Sequence, residues 1–448
     1  MPASRSFLVL VPVVGLLMAA MVHAKEPVYV PVKIDGPAHD PPGGSWWFGP
    51  FPESCSVFDV DGDGDLDITC GRNWYEGPDW QKHEMYIEGS DQWSLEHDHC
   101  LEHPLDVNKD GKMDVVFSNC QIVKGVAWFE NPGNSDTKWK YTKFHHSASI
   151  EGIIPGDIDG DGDTDLAIDH WTPKDNKGVT WYEHIDEAPW LVEHVIGQVG
   201  DTHGRGLGDL NGDGRLDIIT DRGWYENPVN AATDPWTFHD DYRMKIIDAP
   251  RMTGPAGPIL VLDIDGDGLN DLLVGTAHDY GLFWLQQSRS ESGERSFTHR
   301  WIEKDFSQFH ALAMADVNGD GKADLVTGKR LFPHNGGDPG AYEPLFMFWY
   351  DLQGGRFERH VISYNHLQWY PWQKNRNLPP QYAPCAGMKV DIADLDKDGR
   401  PDIVIAGRTG LYAFYHRGFS PAEPSEHRIP RGQDASFPKV EITLQPTP

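Results

Sequence analysis

Apolar residues in this chain come in short runs, and the runs recur. A stretch such as "CSVF" or "ALAMA" leads into an acidic, glycine-bearing turn. A β-rich run follows ("DITC", "DVVF", "DLAI", "DIIT", "DLLV", "DLVT", "DIVI"), then an aromatic one ("WYEGP", "VAWFENP", "VTWYEH", "GWYENP", "LFWLQ", "FMFWYD", "LYAFY"). A fourth run often closes the unit, as in "WLVEHVI", "THRWIEK" and "FERHVI". β-Branched and aromatic residues dominate and no 3.6-residue period is sustained, so the runs predict strands and exclude a helical repeat. Four short strands in roughly fifty residues, repeated seven times, predict an all-β, seven-bladed β-propeller.

The turn between the first two runs is the most regular part. It reads "DVDGDGDLD", "DVNKDGKMD", "DIDGDGDTD", "DLNGDGRLD", "DIDGDGLND", "DVNGDGKAD" and "DLDKDGRPD", with successive copies 47, 51, 52, 54, 53 and 78 residues apart. Positions 1, 3, 5 and 9 supply oxygen ligands. They are Asp59, Asp61, Asp63 and Asp67; Asp106, Asn108, Asp110 and Asp114; Asp157, Asp159, Asp161 and Asp165; Asp209, Asn211, Asp213 and Asp217; Asp263, Asp265, Asp267 and Asp271; Asp316, Asn318, Asp320 and Asp324; and Asp394, Asp396, Asp398 and Asp402. Hard oxygen donors around a glycine turn suit Ca²⁺. An EF-hand would need a bidentate Glu at position 12 between two helices, whereas Asp stands at position 9 between strands. Clustered carboxylates stay ionised side by side only with a cation among them, so seven structural Ca²⁺ ions are expected.

This explains the charge. The net charge is −31, and 25 of the 69 acidic residues are loop ligands. Such a chain repels nucleic acid and anionic lipid. The first 24 residues have a basic start, an apolar centre and small residues up to Ala24. They are expected to be a signal peptide, with residues 25–448 forming one propeller domain, secreted or periplasmic, without a membrane span and monomeric. Five cysteines leave one over. Cys55 with Cys70 and Cys100 with Cys120 are candidate cross-strand disulfides, and Cys385 is the expected free thiol.

These loops and flanks resemble the FG-GAP/VCBS repeats of seven-bladed propellers, over roughly residues 45–430. The resemblance implies a loop joining the innermost strand to the second on one face of the disc. Residues before each innermost strand and after each second strand then reach the opposite face. The first set is Glu53, Cys100, Glu151, His203, Gly257, His310 and Met388, and the second Arg72, Asn119, His170, Arg222, Thr276, Lys329 and Gly407. Neighbours add Glu102, His103, Arg205, His278, Arg330 and Arg408. The loops are uniform but these rings are not, as a single asymmetric site requires. His203, His310, His170 and Glu151, with Arg205, Arg222, Lys329, Arg330 and His334, are candidates for chemistry. Two histidines and a carboxylate suit Zn²⁺ or another divalent metal, or a histidine serves as general base beside a cationic group. Arg72, His103, His278 and Arg408 are candidate substrate contacts.

Two loops break the repeat, "GKRLFPHNGGDPGAYEP" (328–344) and "NHLQWYPWQKNRNLPPQYAPCAG" (365–387). Trp369, Tyr370 and Trp372 in the second offer flat faces for sugar rings. Either "PVYVPVKID" near the start or "PSEHRIP" (424–430) could supply the outer strand of the last blade. The chain also distantly resembles the propeller domain of aldos-2-ulose dehydratase, whose cupin portion has no counterpart here. That implies a carbon–oxygen lyase acting on a sugar. The competing expectation is a non-catalytic lectin or adhesion propeller that binds carbohydrate or protein.

Overall fold

The computed structural model describes residues 25–36, 51–85, 99–119, 125–134, 137–145, 150–170, 178–200, 202–244, 256–331, 333–341, 343–364 and 384–420. The expected signal peptide, the aromatic segment with Trp369, Tyr370 and Trp372, "PSEHRIP" and the Cys100–Cys120 pair of side chains lie outside them. The regular elements among the described residues are all strands apart from one 3₁₀ turn at Pro333–Gly336. No helix among them is long and apolar enough to cross a membrane.

Each acidic turn joins the first two strands of an antiparallel meander, as Ser56–Phe58 to Asp67–Cys70 in the first repeat. The third strand carries the aromatic run, Asn73–Glu76 there, and the fourth is Gln81–Glu84. The seventh repeat takes its fourth strand from the other end of the chain. Glu26–Asp35 pairs with Gly410–Ser420, from Glu26↔Ser420 to Asp35↔Leu411. The first strands of consecutive repeats touch one another all the way round, and those of the seventh and first repeats touch as well. The repeats therefore close into a ring with the first strands innermost.

The expectation of seven separate blades needs correction. Five sheets are separate and four-stranded, but the fourth and fifth repeats share one eight-stranded sheet. The join is a parallel contact, Gly206↔Ile259, with the Ile259 N–H donating to Arg205 O at 3.2 Å. Its cause is the short strand Gly206–Gly208. A Cβ at Gly206 would meet Ile259 O at 2.7 Å, so only glycine lets the backbones approach this closely.

The core is divided among the seams. One cluster lies between each pair of neighbouring repeats, as Trp74, Phe117 and Phe129 between the first and second. Ile68, Tyr75, Val404 and Leu411 fill the seam of the seventh with the first. Trp181, Trp224 and Trp349 are among the largest fully buried side chains. Burying about 150–250 Å² per ring contributes on the order of 4–6 kcal/mol each, before conformational entropy is charged against it.

A belt of hydrogen bonds joins the loops. The ninth loop residue starts every second strand and is at most 1% exposed, as with Asp67, Asp217 and Asp402. Its carboxylate accepts the N–H of the second loop residue, Val60 at 2.7 Å and Leu210 at 2.9 Å for example. Its other oxygen accepts an N–H from near the end of the third strand, that of Asn131, His184, Asn227 or Gln287. That same residue's side chain reaches the second loop residue of the preceding repeat. Asn131 Nδ2 donates to Val60 O (2.8 Å), His184 Nε2 to Val107 O (2.9 Å), Asn227 Nδ2 to Ile158 O (2.6 Å) and Gln287 Nε2 to Leu210 O (3.2 Å). Between the fifth and sixth repeats the backbone does the same, Gly355 N–H to Ile264 O at 3.0 Å.

Candidate functional site on the propeller axis

Four side chains from four repeats converge where the inner strands begin. The ligand atoms of Glu151, His203, His278 and His310 all lie within 4.8 Å of one another. Glu151 precedes the strand Ile153–Gly156, His203 precedes Gly206–Gly208, and His310 lies in Phe309–Ala315. His278 follows Asp271–Thr276. His203 Nε2 stands 3.0 Å from Glu151 Oε2 and 3.1 Å from His278 Nε2, and His310 Nε2 stands 3.3 Å from Glu151 Oε1. All four are buried or nearly so, and His310 Nε2 has no well-formed hydrogen bond.

Two further carboxylates orient the rings from behind. Asp169 Oδ2 faces His203 Nδ1 at 3.4 Å, and Asp338 Oδ2 faces His278 Nδ1 at 2.9 Å. Asp169 is held by the N–H groups of Glu151, Gly152 and Gly204 at 3.2, 2.7 and 3.1 Å. A Cβ at position 152 would sit 2.7 Å from Asp169 Oδ2, so any larger residue there has to push that carboxylate away. Asp338 also accepts His334 Nδ1–H at 2.9 Å, and the His334 and His278 rings stack at 4.6 Å. Beside the cluster, Arg330 pairs with Glu53 (Nη2 to Oε2, 2.5 Å) and lies 3.6 Å from Glu151 Oε1. Arg408 Nε donates to the same Glu53 at 3.1 Å.

Burial opposes ionisation of every carboxylate here, yet opposite charges win. His203, His310 and Arg330 hold Glu151 well below the usual carboxylate range despite desolvation. Desolvation is likewise overcome at Glu53, which Arg330 and Arg408 hold at about 2, and at Asp169 by His203 and at Asp338 by His278 and His334. Among the histidines, burial pushes His278 down to about 3 and lowers His310, while Glu151 and Asp169 outweigh burial at His203 and raise it. The centre is thus ionised carboxylates around imidazoles whose ring nitrogens point at one another.

Of the residues expected from sequence, Glu151, His203 and His310 come together, and His278, expected as a substrate contact, completes the four. Arg330 and Arg408 stand beside them through Glu53, and His334 through Asp338. His170 is buried but is not one of the four. Arg72 is corrected to an outer-strand pair with Glu84 at 2.7 Å, because it lies past the strand end and turns outward. Arg222, half-exposed, lies 3.9 Å from Asp221, and Arg205 Nη1 donates to Gly200 O at 3.4 Å. His103 Nε2 pairs with Ile153 O at 2.9 Å. Lys329 donates to Ser307 Oγ and Gly340 O, both at 2.7 Å, which makes it a clamp on the 328–344 loop. The Cys55–Cys70 disulfide is also corrected. Both are free thiols, with Cys70 Sγ donating to Ser54 O at 3.4 Å and both packed as small apolar groups in the seam. Cys385 is free, as expected. The sequence places Glu53 in the ring without a role, and it does not point to Asp169 or Asp338 at all.

The acidic loops fit a hard cation. Oxygens of Asp59, Asp61 and Asp67 lie within 4.8 Å of one another, as do those of Asp157, Asp159 and Asp165. Backbone N–H groups of Gly62 and Gly64 hold Asp59 at 2.7 and 3.0 Å. Burial pushes the ninth residues up, Asp67 to about 6 and Asp217 to about 7, and a bound cation would reverse that.

A family model described as "FG-GAP-like repeat" matches residues 106–168 and 263–327. Among solved structures, an auxiliary nutrient binding protein from Bacteroides ovatus is similar at 9% identity and a TM-score of 0.37. The match covers 68% of this chain and 66% of that one, just under two thirds of its length. The V. cholerae biofilm matrix protein Bap1 is similar at 10% identity and a TM-score of 0.44, over 88% of this chain and 91% of that one. At these values the likenesses carry no statement about what this chain binds.

Proposed function

With FG-GAP-like repeats in a β-propeller arrangement as its frame, we propose that this protein is an exported, calcium-loaded propeller with one divalent transition-metal site on its axis, acting on a carbohydrate as a carbon–oxygen lyase. In this reading the eight-stranded sheet counts as two blades edge to edge, giving seven. One observation carries the metal. His203 and His278 turn their Nε2 atoms to each other at 3.1 Å while each Nδ1 faces a carboxylate. With both Nδ1–H groups turned to those carboxylates, the two Nε2 lone pairs face each other, an arrangement that a metal ion, or a shared proton in its place, satisfies. Ligands about 2.0–2.1 Å from a tetrahedral metal lie about 3.3 Å apart, close to the separations present. The charges support the same reading. Glu53, Glu151, Asp169 and Asp338 against Arg330 and Arg408 leave two negative charges when the imidazoles are neutral, which a dication offsets.

Glu151, His203, His278 and His310 would hold the ion. When bound, it supplies Lewis-acid polarisation of a substrate carbonyl. Arg330 keeps Glu151 and Glu53 ionised and apart. His334, on the rim with its side chain 27% exposed, is the base. Asp338 fixes its Nδ1–H, so Nε2 carries the lone pair that takes the proton from the carbon beside the carbonyl. The same proton then passes to the departing hydroxyl, which leaves as water. The carbohydrate is inferred from the sequence, in which Trp369, Tyr370 and Trp372 form an aromatic run.

A second reading has its own observation. Four protein ligands close a tetrahedral site, the pattern of a structural metal, and the mouth would then bind sugar or protein without turnover. Metal analysis of the purified protein, with and without His310→Ala, and a screen of keto-sugars and acidic oligosaccharides for an ultraviolet-absorbing product test both. The expected result is one transition metal, lost in the variant, together with a new unsaturated product. Calcium alone would sink the metal centre. Metal without any product across those substrates would leave the binder.

A further inference from the structure

The 328–344 loop interrupts an otherwise regular repeat, and what it delivers to the axis is one carboxylate. Asp338 Oδ2 meets His278 Nδ1 and Asp338 Oδ1 meets His334 Nδ1, each at 2.9 Å. Its position is tied on both sides. Lys329 Nζ donates to Gly340 O at 2.7 Å, Gln308 Nε2 to Pro339 O at 3.1 Å, and Gly337 N–H to His334 O at 3.1 Å. Tyr280 OH anchors the loop's far end on Glu343. Few of these contacts serve a simple connection between two strands. Their common effect is to hold a half-buried carboxylate, its side chain 12% exposed, against two stacked imidazoles.

We infer that Asp338 is a positioning residue for the axial metal centre: through Nδ1 it sets His278 as an Nε2 ligand, and through its second oxygen it aligns His334 with that ligand. The inference rests on the metal reading above. His203 takes its orienting carboxylate, Asp169, from the end of a regular strand in the preceding repeat, where the N–H groups of Glu151, Gly152 and Gly204 hold it. His278 takes its carboxylate, Asp338, from the inserted loop of the following repeat instead. A carboxylate behind a ligating imidazole fixes its tautomer and raises its basicity, and its loss typically costs 10–100-fold in metal affinity. The insertion thus makes the site a property of two elements, the disc and the loop.

The test uses the full protein charged with Zn²⁺, and with Co²⁺ as a spectroscopic stand-in. Zn²⁺ affinity is read by competition with a chromophoric chelator, and the ligand field by visible absorption. Asp338→Ala should weaken Zn²⁺ about 10–100-fold and change the Co²⁺ spectrum. Asp338→Asn can accept from only one imidazole and should fall between, and His334→Ala should leave affinity within about threefold, since it removes no ligand. If the Ala variant does not fold, Lys329→Gln, which frees the loop at Gly340, should lower affinity in the same assay. Unchanged affinity and spectrum in folded Asp338→Ala or Asp338→Asn overturn the assignment while leaving the metal centre standing. A wild-type protein that takes up no Zn²⁺ at the axis overturns the centre itself, and the assignment with it.

Discussion

Asn227→Ala isolates one link of the belt that joins the loops. The side chain is buried, and its Nδ2 donates both to Ile158 O in the preceding repeat (2.6 Å) and to Leu216 O in its own (2.9 Å). Truncation leaves one buried carbonyl, Ile158 O, and one part-buried carbonyl, Leu216 O, without that donor. An unmatched buried polar group costs about 1–3 kcal/mol, and each carbonyl keeps a second lone pair, so a loss of about 2–4 kcal/mol is expected. The backbone N–H of residue 227 still serves Asp217, so the loop itself should persist. Urea unfolding followed by tryptophan fluorescence reads the loss as a lower midpoint with unchanged slope. Asn131→Ala, which loses Val60 O and Met113 O, should match it within about 1 kcal/mol. Asn134→Ala, on an exposed turn, should change stability by less than about 0.5 kcal/mol. If Asn227→Ala costs no more than Asn134→Ala, the belt carries no stability and the reasoning from unsatisfied carbonyls is wrong.

Other outcomes follow from single contacts. Burial lowers Lys329 to about 8, so between pH 8 and 10.5 the unfolded chain holds a proton that the folded one has released. Its unfavourable contribution is therefore complete below pH 8 and fades above it, and wild type should gain stability over Lys329→Met across that window in parallel urea titrations. A flat difference would rule out a charged buried amine. Gly152→Ala should displace Asp169 and weaken axial metal binding at least tenfold by chelator competition, whereas affinity equal to wild type would show that Asp169 does not orient His203. Alkylation of denatured, unreduced protein should label Cys55, Cys70 and Cys385, and protection of the first two would restore the disulfide. Chelator treatment should lower the melting temperature and Ca²⁺ should restore it, and no change would argue against cation-filled loops.

Much of the fold was written in the period of the sequence, because strands and loops recur with the same residues at the same offsets. The site was legible only where it shared that period. Glu151, His203 and His310 occupy equivalent places before or in inner strands, so a repeat alignment picks them out. His170 was chosen where Asp169 acts, a slip of one residue, and along extended chain one residue is the difference between opposite faces. Arg72 and Arg222 sat at ring positions by count, but the chain has already turned there, and each found a nearby acid instead. Asp338 had no offset to betray it, since an inserted loop has no equivalent in the other repeats. The joined sheet was hidden for a different reason: Gly206 and Gly208 read as ordinary strand positions, and only the packed backbone shows what their missing side chains permit.

The pairing of Glu26–Asp35 with Gly410–Ser420 has a consequence for how this protein must be made. The strand that closes the circle is made before any of the repeats, and its partner only after six of them. Until residue 420 has emerged, the early strand has nowhere to go, and six finished repeats form an open arc with an exposed seam at each end. Assembly is therefore a race between synthesis or translocation and the stickiness of those two edges, decided only when the two strands meet.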